Sequence, residues 1–406
     1  HFTLMAGQVD QAEVQLQHSF ALLDQAAALG VDCRGQRAQA LLHWGHLERP
    51  HDLPAAVQAY TQSRELYAQL DLAWDHAYAT SWLGEAQHLI GQQEAAIALL
   101  TEARSAFAIL GDQRNVARVL ATIADSYLLD RADLHAAEET AAASLQLWRA
   151  SGDQLGIANT AVILAYAHCW LNRPDLADPL IDEALAIYRH HGDRYGECRV
   201  YYMVMVVANY RSDIARKEAS AIEGLRLARD LGDAKLIGDF SRGLANVYMA
   251  RGDFASAYPL HAEAIAVQEA AGVKALMPWL HVVRAYSSWK TGKADEARDH
   301  LAYALRVSAE NADVFTAVYA IFFVAQLLQA QGRLECAAEL YALAQRDYMW
   351  QGSLSGDVIM VKPLLTLESA LPAATYAAAT ARGEALDLLV TAAHYAVEIQ
   401  DPAWQW

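Results

Sequence analysis

A chain break recurs every 40 or 41 residues, and this period limits the possible folds more than any other feature of the sequence. Gly-Asp pairs stand at Gly111-Asp112, Gly152-Asp153, Gly192-Asp193 and Gly232-Asp233. Weaker versions extend the series to Gly272-Val273 and Gly352, and back to Leu70-Asp71 and Gly30-Val31-Asp32. A second breaker falls halfway between, at Gly91, Asn172, Ser212, Gly252, Gly292 and Gly332. About 16 helix-forming residues separate successive breakers. Glycine ends a helix because it enters the left-handed conformation cheaply, and the Asp that follows can cap the next helix. The repeating unit is therefore a helical hairpin, stacked many times.

Small residues recur in step with the turns. Ala96, Ala137, Ala177, Ala257, Ala297 and Ala337 hold one register on the second helix of successive hairpins. Ala103, Ser144, Ala184, Ala264, Ala304 and Ala344 follow seven residues later, and Gly84, Asp125, Ala165, Ala245, Ala285 and Ala325 stand twelve residues earlier on the first helix. Small side chains at matched depths let two helices approach, and neighbours such as Leu83, Leu164 and Leu244 fill the space between. This layout resembles the tetratricopeptide repeat. Leu244-Ala245, Tyr248, Gly252, Phe254, Ala257 and Ala264 match that family closely, over about residues 8–350. The period exceeds the ~34 residues usual there; the extra residues lengthen both helices, as in the repeat arrays of bacterial signalling regulators. The resemblance implies an all-α solenoid, a right-handed superhelix of hairpins about 40 residues long, closed by C-terminal capping helices.

Hairpins are expected at 33–70, 73–110, 113–150, 154–191, 194–231, 234–271, 274–311 and 313–351, after a lone second helix at 8–29. That lone helix, and a first residue that is not Met, read as a piece of a longer polypeptide. The hairpin at 194–231 diverges most, because Met205 and Lys217 replace the small residues of both registers. A repeat array over 1–352 and a cap of the same domain over 353–406 are expected. In the cap, Ser353–Asp357 reads as a loop and Val358–Ser369 as a helix broken by Pro363. The segment from Leu371 to Ala379, a glycine turn at Gly383 and an Ala-rich helix to about Gln400 resemble the tail that closes the repeats of signal-transduction ATPases.

Composition narrows the function. The net charge of −17 argues against nonspecific nucleic-acid binding, which needs clustered Lys and Arg to displace counterions. The cysteines, Cys33, Cys169, Cys198 and Cys336, lie in different repeats without Cys-x-x-Cys spacing, as reduced thiols of a cytoplasmic protein would. The longest apolar run, near residues 201–208, is too short to span a bilayer. No Gly-x4-Gly-Lys-Ser/Thr, His-Glu-x-x-His or Gly-x-Ser-x-Gly pattern occurs, so a non-enzymatic chain without cofactor is expected. His43 and His46 share a helix face near His51, but two imidazoles without a third ligand make a poor metal site. Glu138-Glu139 and Asp182-Glu183 read as a solvated acidic face on second helices.

In the resembled family the first helices line an inner groove. Register places Tyr78, Ser81, Glu85 and His88 there in one repeat, then Arg118, Ala121, Asp125 and Leu128, then Asn159, Val162, Tyr166 and Cys169. Arg199, Tyr202, Val206 and Asn209 follow, then Asp239, Arg242, Asn246 and Met249. The last two sets are Trp279, Val282, Tyr286 and Trp289, and Tyr319, Phe322, Gln326 and Gln329. Asn can hold an extended peptide backbone because it both donates and accepts; Arg offers a fork to carboxylate or phosphate, and aromatics give contact area at low entropy cost. The aromatics could instead fill seams between repeats, with Arg118, Arg199 and Arg242 paired to Asp125 and Asp239. The expected function is a sensor or interaction domain that binds a peptide, protein or small-molecule inducer in the groove. The resemblance adds that such binding relieves autoinhibition of an ATPase or transcription regulator in the same full-length chain. The alternative is a constitutive protein scaffold.

Overall fold

The computed structural model describes residues 9–50, 52–129, 133–211, 213–272, 277–348 and 359–406. Among them the chain forms 20 α-helices and no strand, and no helix is long and apolar enough to cross a membrane. It divides into two compact units, His1–His191 and Gly192–Trp406.

The first unit opens with the lone helix α1 (Val9–Ala28). Four hairpins follow: α2 (Arg34–Glu48) with α3 (Leu53–Gln69), α4 (Ala73–Leu89) with α5 (Gln93–Ile109), α6 (Gln113–Leu129) with α7 (Leu134–Ser151), and α8 (Gln154–Trp170) with α9 (Pro174–His191). The second unit repeats the scheme with α10 (Arg194–Tyr210) and α11 (Ile214–Leu231), α12 (Ala234–Ala250) and α13 (Phe254–Ala270), α14 (Met277–Lys290) and α15 (Ala294–Glu310), and α16 (Val314–Ala330) and α17 (Leu334–Arg346). Each helix packs on its hairpin partner and on the next helix in its unit. These hairpins follow the sequence period from one turn to the next.

The turns have the expected chemistry. Gly152 adopts φ +73° and donates its N–H to the Arg149 carbonyl, while the Asp153 carboxylate accepts from the Gly156 N–H to start α8. Where glycine is absent, Asp71, Asn172 and Ala312 take positive φ instead. At Ala312 the sequence signals no breaker. The turn forms there nonetheless, one period after Gly272, and Asp313 caps α16 through the Thr316 N–H at 3.1 Å. Ser212, Val273 and Gly352 lie outside the described residues.

The small-residue register forms the seams. Ala96, Ala137, Ala177, Ala257, Ala297 and Ala337 are all fully buried, and so are Ala165, Ala245, Ala285 and Ala325. In α6 the fully buried residue is Ala124, while Asp125, next to it, keeps half of its side chain in solvent. Ser144, at an alanine slot, donates to the Ala117 carbonyl at 2.7 Å, so its hydroxyl is buried without an unmet hydrogen bond. The second helices are less passive than an acidic face would be. Glu138 accepts from Arg173 at 2.7 Å beside His168, and Glu183 accepts from Arg149 at 2.6 Å.

The end of the second unit is a cap. Residues 359–361 form a single π turn, followed by a 3-10 helix over Lys362–Thr366, α18 (Leu367–Ala370), α19 (Ala373–Glu384) and α20 (Leu388–Glu398). Helix α19 lies on α17, whereas α20 reaches back to α15 and α16. Gly383 was expected in a turn; it sits inside α19. Its role is close approach, because a Cβ there would stand 2.0 Å from the Glu339 carbonyl oxygen. The turn falls after it, where Arg346 donates to the carbonyls of Glu384 and Leu386 at 2.7 and 2.9 Å.

Candidate functional site

In the first unit, the residues expected to line the groove form a network that uses up its own hydrogen bonds. Arg118 projects from α6 towards α4. Its Nη1 pairs with Glu85, its Nη2 donates to Ser81 Oγ at 2.6 Å, and its Nε donates to Asn115 Oδ1 at 3.2 Å. The guanidinium lies 5.0 Å from the Trp82 ring centre and 5.7 Å from that of Tyr78. Arg49 faces the same indole at 4.9 Å and bonds the other Glu85 oxygen at 3.1 Å. All three nitrogens of Arg118 are thus engaged within the protein, and its partner is Glu85. Asp125 pairs instead with His88, at 3.3 Å. Burial alone would lower the His88 pKa, but the hydrogen bond and charge of Asp125, with Gln93 and Glu85, outweigh burial and raise it. Asn159 and Tyr166 lie half-buried on α8, and Tyr166 meets the Trp170 ring edge-on at 6.1 Å.

The histidines of α2 also serve packing. His46 Nδ1 lies 2.8 Å from the Tyr60 hydroxyl, and its ring meets Trp82 edge-on at 4.5 Å. Burial lowers its pKa to about 3, so the imidazole is neutral. His51 lies outside the described residues. Among the described residues, no three His, Cys, Asp or Glu side chains converge as metal ligands.

The second unit holds two different arrangements. On α14 and α16, six expected groove residues are buried: Trp279, Val282, Tyr286, Tyr319, Phe322 and Gln326. The chain itself covers them. Gln326 Nε2 donates to the Ile359 and Met360 carbonyls, both at 3.0 Å, and accepts the Tyr286 hydroxyl at 3.1 Å on Oε1. Gln329 donates to Thr366 Oγ1 at 2.9 Å. Ile359, Met360, Leu364 and Leu367 join one apolar cluster with Phe322, Tyr319 and Tyr348, and Trp289 packs at its edge. Sequence register could not foresee this cover, because the covering segment lies beyond the last repeat.

Between α10, α11 and α12 a cavity of about 120 Å³ remains open, lined by Tyr202, Met205, Val206, Asn209, Lys217, Arg242, Gly243 and Asn246. Five of these are expected groove residues. The other determinants, Met205 and Lys217, come from the divergent repeat. Each fills a slot that holds buried alanine in most other hairpins, and each is longer than alanine, so this is where the seam is interrupted. Met205 finds room through Gly243, whose absent side chain leaves space for the sulfur.

Lys217 is 4% exposed, and Nζ donates to Asn209 Oδ1 at 2.8 Å. Among the described residues no carboxylate pairs with it. Burial, and then the nearby charge of Arg242, lower its pKa to about 7. For Arg242 itself burial opposes the charge, but Asp239 and Tyr202 outweigh it and raise the pKa. The Arg242–Asp239 contact measures 3.2 Å, and the guanidinium lies 5.3 Å from the Trp279 ring centre. Asn246 Oδ1 is buried with no hydrogen-bond partner. Arg199 lies half-buried on α10. The cavity therefore offers a buried amine and an amide oxygen whose bonding capacity is unspent, which the first unit's Arg118 network does not. A larger hollow of about 440 Å³ between α1 and α2 is lined mainly by Ala, Leu and Gln and holds no charged group.

These features define a tetratricopeptide-type helical repeat fold. No protein-family model matches the sequence, and no curated protein matches it. Solved structures do. The apo form of the quorum sensor NprR from B. thuringiensis is 13% identical with a TM-score of 0.59, over 84% of this chain and 98% of that one. Aspartyl phosphate phosphatase F from Bacillus subtilis is 12% identical with a TM-score of 0.56, over 86% and 92%. The apo form of RapI is 14% identical with a TM-score of 0.55, over 91% and 95%. At such identities the likeness is one of fold.

Proposed function

We propose that this chain is a non-enzymatic sensor domain that binds a peptide, protein or small-molecule inducer along its first helices, with the Lys217 cavity as the anchoring point. The observation that carries this reading is the unspent hydrogen-bonding capacity there: a buried lysine without a carboxylate and a buried Asn246 oxygen without a donor. Buried polar groups are ordinarily satisfied, and exceptions call for a partner. The fold lends support, since a solved neighbour is described as a quorum sensor. Binding in the cavity would bear on α10, α11 and α12 at once, a means of changing how hairpins stack. The resemblance to signalling regulators extends the proposal to an attached ATPase or transcription regulator that reads this change.

The test is capture from host lysate, analysed by mass spectrometry for metabolites, peptides and proteins, with Asn209→Leu/Asn246→Leu as the control bait. A metabolite or peptide retained by the wild type and lost by the control supports a sensor. A folded protein retained by both baits would instead favour a constitutive scaffold, and loss of the sensor reading.

A further inference from the structure

We propose that Lys217 is a site of reversible covalent modification by carbon dioxide, its Nζ becoming a carbamate inside the chain. This goes beyond the ligand-binding reading above and stands or falls without it.

The surroundings of Nζ favour a nucleophile. The side chain is buried in a slot that fully buried alanine fills at Ala177 and Ala257, and Nζ donates to Asn209 Oδ1 at 2.8 Å. Among the described residues no carboxylate pairs with it to hold it as an ammonium. The ionisable groups around it are Arg242 of α12, with Asp239 bonded to that guanidinium, and the Tyr202 hydroxyl of α10. Burial and then the charge of Arg242 bring its pKa to about 7. At pH 7 about half of Lys217 is then uncharged, against about one in 2,500 for a lysine in water. An uncharged amine has a lone pair to give.

The cavity suits the electrophile. Its volume of about 120 Å³ equals roughly four water molecules at about 30 Å³ each, which is room enough for a linear triatomic. Met205, Val206 and Gly243 contribute an apolar lining that an uncharged gas enters without shedding a hydration shell. The Nζ lone pair attacks the carbon, and a C–N bond forms while one C–O π pair moves onto oxygen. One Nζ proton leaves for solvent, so amine and carbon dioxide give a carbamate anion and a proton. No oxidant or further reactant is needed.

The product fits better than the free amine. A cation beside Arg242 becomes an anion beside it, so repulsion turns into attraction. Arg242 bonds Asp239 and Tyr202, and a guanidinium has five N–H donors, which leaves others for a carbamate oxygen. The remaining Nζ–H keeps Asn209 Oδ1. Asn246 answers the second oxygen: its Oδ1 is buried and unpartnered, and a half-turn of the amide puts Nδ2 there to donate. An aldehyde would also condense with the amine, but the imine brings no anionic oxygen for Arg242 or Asn246.

The test labels the chain with 15N-lysine and equilibrates it with 13C-bicarbonate at about pH 8 in a closed vessel. Carbon NMR should show a signal split by one bonded 15N, lost on purging with nitrogen gas. The α-amino group, which also takes up carbon dioxide, carries no 15N. The split signal should be absent from Lys217→Met with its helical circular dichroism intact. Alkylating the wild-type carbamate with triethyloxonium, then digestion and mass spectrometry, should find the ester on Lys217, a result independent of how any variant folds. Arg242→Gln should lower occupancy roughly tenfold to a hundredfold, the range set by a hydrogen bond to a charged group. No split signal from the wild type, or an ester only on other lysines such as Lys235 or Lys293, would overturn the inference. Undiminished occupancy in Arg242→Gln would overturn the placement of the carbamate against the guanidinium.

Discussion

Gly383 and the Glu339 carbonyl are in backbone contact: a Cβ added to Gly383 would lie 2.0 Å from the oxygen and 2.9 Å from the carbon. Backbone atoms within a helix cannot rotate away as a side-chain tip can. Gly383→Ala should therefore push α19 off α17 and destabilise the second unit by about 1–3 kcal/mol, the usual cost of overpacking. Chemical denaturation of both proteins measures this, and a change within experimental error would show that the helices separate freely.

Gln326 is one of the side chains that tie down the cover over α14 and α16. Gln326→Leu leaves the buried Ile359 and Met360 carbonyls without the donor they share. Amide protection over residues 359–367 should drop roughly tenfold to a hundredfold in hydrogen exchange, as expected when buried carbonyls lose a donor. Protection in α10 and α12 should stay unchanged. Undiminished protection at 359–367 would mean that the apolar contacts of Leu364 and Leu367 hold the segment unaided.

Lys217 should leave a mark on stability against pH. Its folded pKa of about 7 lies below the ordinary lysine value of 10.5, so between these values the unfolded chain binds the extra proton. Stability then rises with pH across that window, and below about pH 7 the penalty of the buried charge is fully present. The span corresponds to at most about 5 kcal/mol. The stability difference between Lys217→Met and wild type should shrink from pH 7 to pH 10, as read from urea denaturation. A constant difference would show that the lysine titrates as in water.

His88 has the opposite sign. Its pKa is raised above 6.5 by Asp125 against the pull of burial. The Asp125 pairing therefore contributes fully below pH 6.5 and fades as pH rises through the folded-state value. Thermal melts of the wild type and His88→Gln should differ most near pH 5.5 and converge by about pH 8.5. Parallel curves would leave the imidazole neutral throughout.

How far the sequence led depends on whether a signal was local or distant. The hairpins were legible because each turn carries its own chemistry, as at Gly152-Asp153, and because seam alanines such as Ala257 cannot be larger. The turn at Ala312 was legible from the period alone, since nothing in its side chain favours positive φ; the capping Asp313 and the period imposed by neighbouring hairpins hold it there. Partners of groove residues were legible only when near in sequence. Arg242 pairs with Asp239 three residues away, as sequence suggested, while Arg118 passes Asp125 to reach Glu85 on the preceding hairpin. Burial of Tyr286 and Gln326 depended on residues 359–360, which no register of the repeats includes. The divergence at Met205 and Lys217 was visible at once, but that it opens a cavity depended on Gly243 in the following helix.

Helix α20, lying on α15 and α16, skips back past the last hairpin's second helix. In an ordinary solenoid each repeat touches its neighbours alone, and the free energy of the array is close to a sum over adjacent pairs. Here a single tail is shared by two hairpins. They should melt as one cooperative block, and during synthesis neither can finish until α20 has left the ribosome, whereas the hairpins before them can close as they emerge.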